Sequence, residues 1–283
     1  MSTNPTRYLA NCVLWAACLA GQALGWHAAS RAEEPFRPLV VGHRGLMHSA
    51  PECTLAAFRA CLALRIGFEF DVRRTKDGEL VCLHDATVDR TTDGHGKLND
   101  FSFAALRKLD AGSWFDPAFR EERVPTIDEI FEVIAAQPRG DVLCAVDLKE
   151  AGDELEEKIV HLAEARGVLH RLLFIGLTIE SPAVRERLKS ASPKASTARL
   201  VADSNDITAA LGDTNTDWIY IRQFPAEHDI SRILKTPKRL FVAGPLTAGN
   251  ESENWSLAAK LHIHGVLTDY PLELASQLRK VGP

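Results

Sequence analysis

The chain lacks several features that would narrow its role at once. No two of its six cysteines have the C-x-x-C spacing of common zinc sites, so a zinc framework is excluded. No basic run interrupts a formal net charge of −5, so composition gives no electrostatic footprint for a nucleic acid. Any phosphate must therefore be held locally, in one pocket. Repeats, low-complexity tracts and linker-like stretches are missing, which argues against an array of domains. The cysteines do not demand disulfides either. Cys12 and Cys18 fall in the N-terminal segment, Cys82 and Cys144 lie inside apolar runs and read as small buried hydrophobes, and Cys53 and Cys61 sit too far apart along one predicted helix to pair.

Residues 1–32 read as a secretory signal peptide. Arg7 precedes an apolar run from Tyr8 to about Ala23, and Ser30-Arg31-Ala32 fits the small-x-small cleavage rule. The alternative is an uncleaved, membrane-anchoring helix, against which the run is short and interrupted by Asn11, Gly21, Gly25 and His27. The expected product is exported, periplasmic or secreted. Residues 33–283 then form one domain, with no stable membrane span, about the length of a single (β/α)₈ barrel (~250 residues).

After the leader, strand-like and helix-like segments alternate. Strands are predicted at 38–43, 67–73, 79–84, 141–148, 171–177, 197–201, 217–222, 239–243 and 264–268. Amphipathic runs lie between most of them, at 54–65, 126–137, 152–166, 181–191, 204–211, 226–235 and 251–262. Such alternation implies parallel strands covered by helices, an α/β TIM barrel. Nine candidates compete for eight barrel places, and 197–201 and 217–222 are the weakest. The stretch 85–125 stands outside the rhythm, with a short helix around 102–109, and as a long loop it is expected to grip substrate.

The chemistry concentrates at three strand ends. Glu69 and Asp71 are i and i+2 on one strand and so face the same side. Two buried acids need compensation, either a divalent cation held through oxygen, Mg²⁺ or Ca²⁺, or a salt bridge to Arg44, Arg73 or Lys149. Asp147-x-Lys149 repeats the geometry on a later strand, adding a third carboxylate and an inward lysine, unless that lysine is simply solvated. His43 and His84 each end a strand beside carboxylates. Two such imidazoles can act as base and acid in one displacement at phosphorus. Arg44 is placed to hold phosphate oxygens bidentately. These residue types together suit cleavage of a phosphate ester.

At this point the sequence resembles the glycerophosphodiester phosphodiesterase family. The matching pieces are His43-Arg44-Gly45, Pro51-Glu52-Cys53-Thr54, Glu69-Phe70-Asp71-Val72 and His84-Asp85. They continue through Thr87-Val88-Asp89-Arg90-Thr91-Thr92, Leu109-Asp110-Ala111-Gly112-Ser113-Trp114-Phe115 and Val124-Pro125-Thr126, with Gly265-Val266-Leu267-Thr268-Asp269-Tyr270-Pro271 at the close. The resemblance implies a phospholipase-like barrel that uses a divalent metal to hydrolyse glycerophosphodiesters to glycerol 3-phosphate and an alcohol. It implies His43 and His84 as the catalytic pair, Glu69 and Asp71 as metal ligands, and Arg44 and Lys149 as phosphate contacts. Asp147, the third expected ligand, stands where the family usually has Glu; one methylene fewer draws the carboxylate back by over ~1 Å. Cys53 replaces the usual Asn, with an expected effect on loop hydrogen bonding. A Ser-Phe pair near Gly176-Leu177 and a Trp element near Ala243-Gly244 are absent. Trp114, Phe115 and Trp218 are then candidate aromatic walls, suited to a choline headgroup. Sphingomyelinase D-like or cyclic-phosphate-forming cleavage of a phospholipid, and low-turnover binding of a phosphodiester, are the alternative readings.

Overall fold

The computed structural model describes residues 36–137, 142–152 and 154–280, so the leader and its junction at Ala32 lie outside the described residues. Nine strands form in chain order: β1 (Leu39–Gly42), β2 (Gly67–Arg74), β3 (Leu80–Cys82), β4 (Cys144–Leu148), β5 (Leu172–Ile175), β6 (Ala198–Val201), β7 (Trp218–Ile221), β8 (Arg239–Val242) and β9 (Gly265–Thr268). All but β3 run parallel to their neighbours, in the order β5-β4-β2-β1-β9-β8-β7-β6. Between β5 and β6 the ring meets through one parallel bridge, Phe174 to Thr197, in which the Phe174 N–H donates to Ser196 O at 2.9 Å. Eight parallel strands thus make a nearly closed (β/α)₈ barrel.

The ninth strand is the one at 79–84, and the two expected to be weakest, 197–201 and 217–222, are barrel strands. β2 runs on past the barrel to Arg74, turns through Thr75–Gly78, and β3 comes back antiparallel along it, with Val72 opposite Cys82. A four-residue turn can make only a hairpin, because a parallel crossover needs a dozen residues or more. The Cys82 N–H donates to Pro125 O on the other side, which wedges β3 between β2 and the segment leading to the next helix. The returning strand therefore brings His84 down to the level of Asp71, whose carbonyl accepts from the Leu83 N–H at 3.2 Å.

The helices are α1 (Leu55–Ala63), α2 (Phe103–Leu106), α3 (Ile127–Ala135), α4 (Leu155–Ala165), α5 (Pro182–Ala191), α6 (Ser204–Gly212), α7 (Glu227–Leu234), α8 (Pro245–Ala248), α9 (Ser252–Lys260) and α10 (Pro271–Lys280). α3 shows how sequence makes one of them. Thr126 caps it and Glu129 reaches back to the Thr126 N–H at 2.8 Å, a reciprocal box whose loss costs about 1 kcal/mol. Its apolar residues at 127, 130, 131 and 134 form one stripe, fully buried against the outer face of the sheet. Each such side chain contributes roughly 1.5–3 kcal/mol on burial.

Strand alternation separates core from site. On β2, Phe68, Phe70 and Val72 point out and pack with Phe58 and Phe131 under the helices, which turns Glu69 and Asp71 into the barrel. The lower interior is filled by Val41, Leu143, Ala145, Leu173, Trp218, Phe241 and neighbours. The upper interior is polar. Residues 85–125 do not line that space; they enclose a satellite core of Val88, Leu98, Leu106, Ala111 and Val124 against Val81 and Leu83.

Candidate active site

A cavity of about 290 Å³ opens at the C-terminal ends of the strands, bordered by His43, Glu69, His84, Asp147 and Lys149 on one side and by Leu200, Tyr220, Arg222 and Gly244 on the other. Strand C-termini are where a parallel barrel presents its chemistry. Asp71 lies fully buried just below, paired with Lys149 Nζ at 2.9 Å. Of the seven residues nominated from sequence, five border this space; Asp71 lies beneath it, and Arg44 is set back from it. It sits at φ +53, a left-handed conformation costly for a non-glycine residue, and this points its backbone N–H at Glu69 Oε2 (3.0 Å). Its guanidinium donates to Glu52 at 2.9 Å.

The two imidazoles are held alike. His43 Nδ1 lies 2.7 Å from Asp269 Oδ1, and His84 Nδ1 lies 2.7 Å from Asp85 Oδ1. Each carboxylate favours the Nδ1–H tautomer and leaves Nε2 free to accept or deliver a proton at the cavity. Asp85 is shared with Arg90 Nε (2.7 Å), and Arg90 also forks onto Glu52, so charge runs unbroken from His84 to Arg44. Hydrogen bonding from Arg90 and then His84 keeps Asp85 well below the usual carboxylate range. Burial works against ionised Glu52, yet hydrogen bonds from Arg90 and the charge of Arg44 hold it low as well. Asp269, Asp85, Glu52 and Arg90 were not assigned from sequence. Asp269 is contributed by the segment after β9, which adjoins β1, and only strand order reveals that adjacency.

The acids on β2 and β4 form the third element. Asp71 is in register with Asp147, and one oxygen each from Glu69, Asp71 and Asp147 lies within 4.8 Å of the others. Ligands on opposite sides of a hard cation at ~2.1–2.4 Å stand ~4.2–4.8 Å apart, so the spacing fits Mg²⁺ or Ca²⁺. The shorter Asp147 side chain still reaches the cluster. Burial, then the charges of Asp71 and Asp147, push Glu69 well above the usual carboxylate range. Burial and Asp71 also raise Asp147, whereas Lys149 outweighs burial at Asp71 and lowers it. Asp147 Oδ1 is buried with no hydrogen-bond partner. Three carboxylates facing one ammonium leave an excess that a divalent cation balances, so these residues fit such an ion. Cys53, itself at φ +58, sets its Sγ 3.5 Å from Asp71 Oδ2, so its effect extends beyond the loop.

The expected aromatic walls are elsewhere. Trp218 begins β7 at the floor of the barrel, edge-to-face with Phe241 and beneath the Arg239 guanidinium, and Trp114 and Phe115 pack on each other in the 85–125 segment. None of the three borders the cavity; Tyr220 does.

The chain matches known proteins in sequence and in fold. Residues 43–273 match the model of the Glycerophosphoryl diester phosphodiesterase family. A glycerophosphodiester phosphodiesterase of Caldanaerobacter subterraneus is 43% identical over 129 residues, covering 44% of this chain and 52% of the relative. One from Bacillus subtilis is 37% identical over 137 residues, covering 44% and 47%. The chain thus spans about half the length of the curated relatives it matches. Among solved structures, an Oleispira antarctica phosphodiesterase in complex with the product sn-glycerol-3-phosphate superposes with a TM-score of 0.70 at 28% identity, over 86% of this chain and 98% of that one. A glycerophosphodiester phosphodiesterase from Agrobacterium tumefaciens shares the fold, with a TM-score of 0.69 at 24% identity over 85% and 100%.

Proposed function

The chain belongs to the glycerophosphoryl diester phosphodiesterase family, and on that premise we propose that it hydrolyses glycerophosphodiesters to glycerol 3-phosphate and an alcohol with a divalent metal. The observation that carries this reading is the convergence of His43 and His84, each with a carboxylate at 2.7 Å on Nδ1, on the cavity bordered by Glu69 and Asp147. Glu69, Asp71 and Asp147 would hold the cation, Mg²⁺ or Ca²⁺. Bound there, it would supply Lewis-acid polarisation of a phosphoryl oxygen.

His43 accepts the proton of the attacking hydroxyl, from water or from the substrate's own glycerol, in which case water then opens the cyclic phosphate to glycerol 3-phosphate, and Asp269 stabilises the resulting imidazolium. His84 protonates the departing alcohol oxygen, oriented by Asp85. Lys149 neutralises a non-bridging oxygen of the phosphate. Arg44 contributes its charge to the same group, and its hold on Glu52 fixes its direction. We also read the protein as exported, with residues 1–32 as a cleaved leader before the catalytic domain; the apolar run and the cleavage-like Ser30-Arg31-Ala32 support this.

The test is release of glycerol 3-phosphate from glycerophosphocholine and glycerophosphoethanolamine, after chelation and then with Mg²⁺ or Ca²⁺ restored. Metal-dependent release is expected. His43→Ala and His84→Ala should each lose about 10²–10⁴-fold in kcat while folding normally, since both side chains face the cavity. Either variant retaining parent activity would overturn the acid–base assignment, and release that ignores chelation would overturn the metal.

A further inference from the structure

The catalytic groups all come from one side of the barrel, from β1, β2, β4 and the hairpin strand β3. Going round the ring, β7 is four strands from β2 in either direction, so its C-terminal end lies diametrically across the cavity. Arg222 follows β7 directly and borders the cavity there. Its side chain reaches over the neighbouring β8 end, where a Cβ on Gly244 would come within 2.8 Å of Arg222 Nε. Gly244, at φ +89, leaves the guanidinium its place.

The other cations around the mouth are engaged. Lys149 pairs with Asp71 and Asp147, Arg44 with Glu52, Arg90 with Glu52 and Asp85, and Arg73 donates to His84 O. Arg222 has no hydrogen-bond or ion-pair partner among the described residues and stays exposed. A phosphate held between the acid cluster and the two imidazoles sends one ester arm toward this far wall. Glycerol is uncharged and gives an unpaired guanidinium nothing to neutralise. The far wall also carries no tryptophan or phenylalanine, and a fixed cation repels a quaternary ammonium.

Building on the phosphodiesterase reading, we propose that Arg222 is a specificity residue that receives an anionic group on the leaving alcohol, a carboxylate or a second phosphate, through its planar fork of donors. Substrates bearing such a group are then preferred over those ending in choline or ethanolamine. The chemistry is that of bidentate guanidinium recognition, which a compact ammonium reproduces only in part.

Glycerophosphoserine and glycerophosphoethanolamine differ by a carboxylate alone, so the ratio of their kcat/KM values isolates the effect. With metal-loaded full-length protein, the parent should favour the serine diester by about 10- to 100-fold, the range expected of a charge-assisted hydrogen bond. Arg222→Ala should bring the ratio close to one, mainly through KM, Arg222→Lys should keep part of it, and Arg222→Glu should invert it. A parent ratio near one, or a ratio unmoved by Arg222→Ala, overturns the inference even if ethanolamine diester is turned over well. Equal losses on both diesters overturn it too, placing Arg222 on the shared phosphate or glycerol. Absence of turnover on both by the parent overturns the phosphodiesterase reading, and this inference with it.

Discussion

Replacing Gly176 with alanine should displace Asp147 and weaken metal binding with little change elsewhere. Gly176 follows β5 at φ +102 and borders the cavity. A Cβ there would stand 2.8 Å from Asp147 Cγ and nearer still to Oδ1. Non-bonded carbons rest ~3.5–4.0 Å apart, so the carboxyl group must retreat by ~0.7–1.2 Å. The backbone cannot absorb this, because Asp147 is laddered between Asp71 and Ile175. The movement falls on the side chain and takes it out of the three-acid cluster. A ~1 Å misplacement of a reacting or ligating group costs on the order of 10²-fold, and the unfavourable φ adds ~1–3 kcal/mol of instability. Calorimetric titration with Mg²⁺ and Ca²⁺ should show the affinity loss, and urea unfolding of the metal-free protein should show the stability cost separately. A double-mutant cycle with Asp147→Ala gives the decisive comparison: in that background Gly176→Ala should lose most of its effect on affinity. Parent-like metal affinity in Gly176→Ala, or full additivity with Asp147→Ala, would refute the reasoning.

Two further expectations concern other parts of the chain. His264 accepts the Leu240 N–H on Nδ1 at 3.1 Å, and burial, followed by the charges of Arg239 and His262, lowers its pKa below the ordinary 6.5. A histidine with a depressed folded pKa stabilises the fold above about 6.5 and loses that stability as pH falls toward the folded value, at no more than ~1.4 kcal/mol per pH unit for one proton. His264→Asn keeps an acceptor without titrating, so the drop in urea midpoint from pH 7.5 to 5.5 should be smaller in it than in the parent; equal drops would rule His264 out. The leader reading predicts that protein recovered from the exported fraction of a secreting bacterial host begins at Glu33, and N-terminal sequencing that finds the original start would favour an anchor.

Much of this molecule is legible in the sequence because buried parallel strands are short β-branched or aromatic runs that end in polar residues. β1, β2 and β4 carry that pattern, and the residues at their ends are the ones that meet. The pattern says nothing about strand direction, which is why 79–84 competed with true barrel strands. The signal that separates it is the turn Thr75–Gly78, too short for a crossover. β6 and β7 looked weak because their inward residues Ala198 and Trp218 lie at the floor and neither strand carries a nominated catalytic residue at its end. Partners distant in sequence were beyond periodicity altogether. Asp269 reaches His43 across 226 positions, through the adjacency of the first and last strands. The misplaced tryptophan wall has the same origin: composition lists aromatic residues but does not say at which height of the barrel they lie.

The barrel is a ring with seven ladders and a single stitch. Where β1 meets β9, four residue pairs bind the two ends of the sheet, and that spine keeps the His43–Asp269 couple fixed. Where β5 meets β6, a single bridge pairs Phe174 with Thr197, one residue pair against four. Gly176 and Leu177 come directly after that junction on β5, so an opening there would be felt first at the rim beside Asp147. The ring is closed by a full ladder beside the His43–Asp269 couple and by one residue pair beside the rim that carries Gly176.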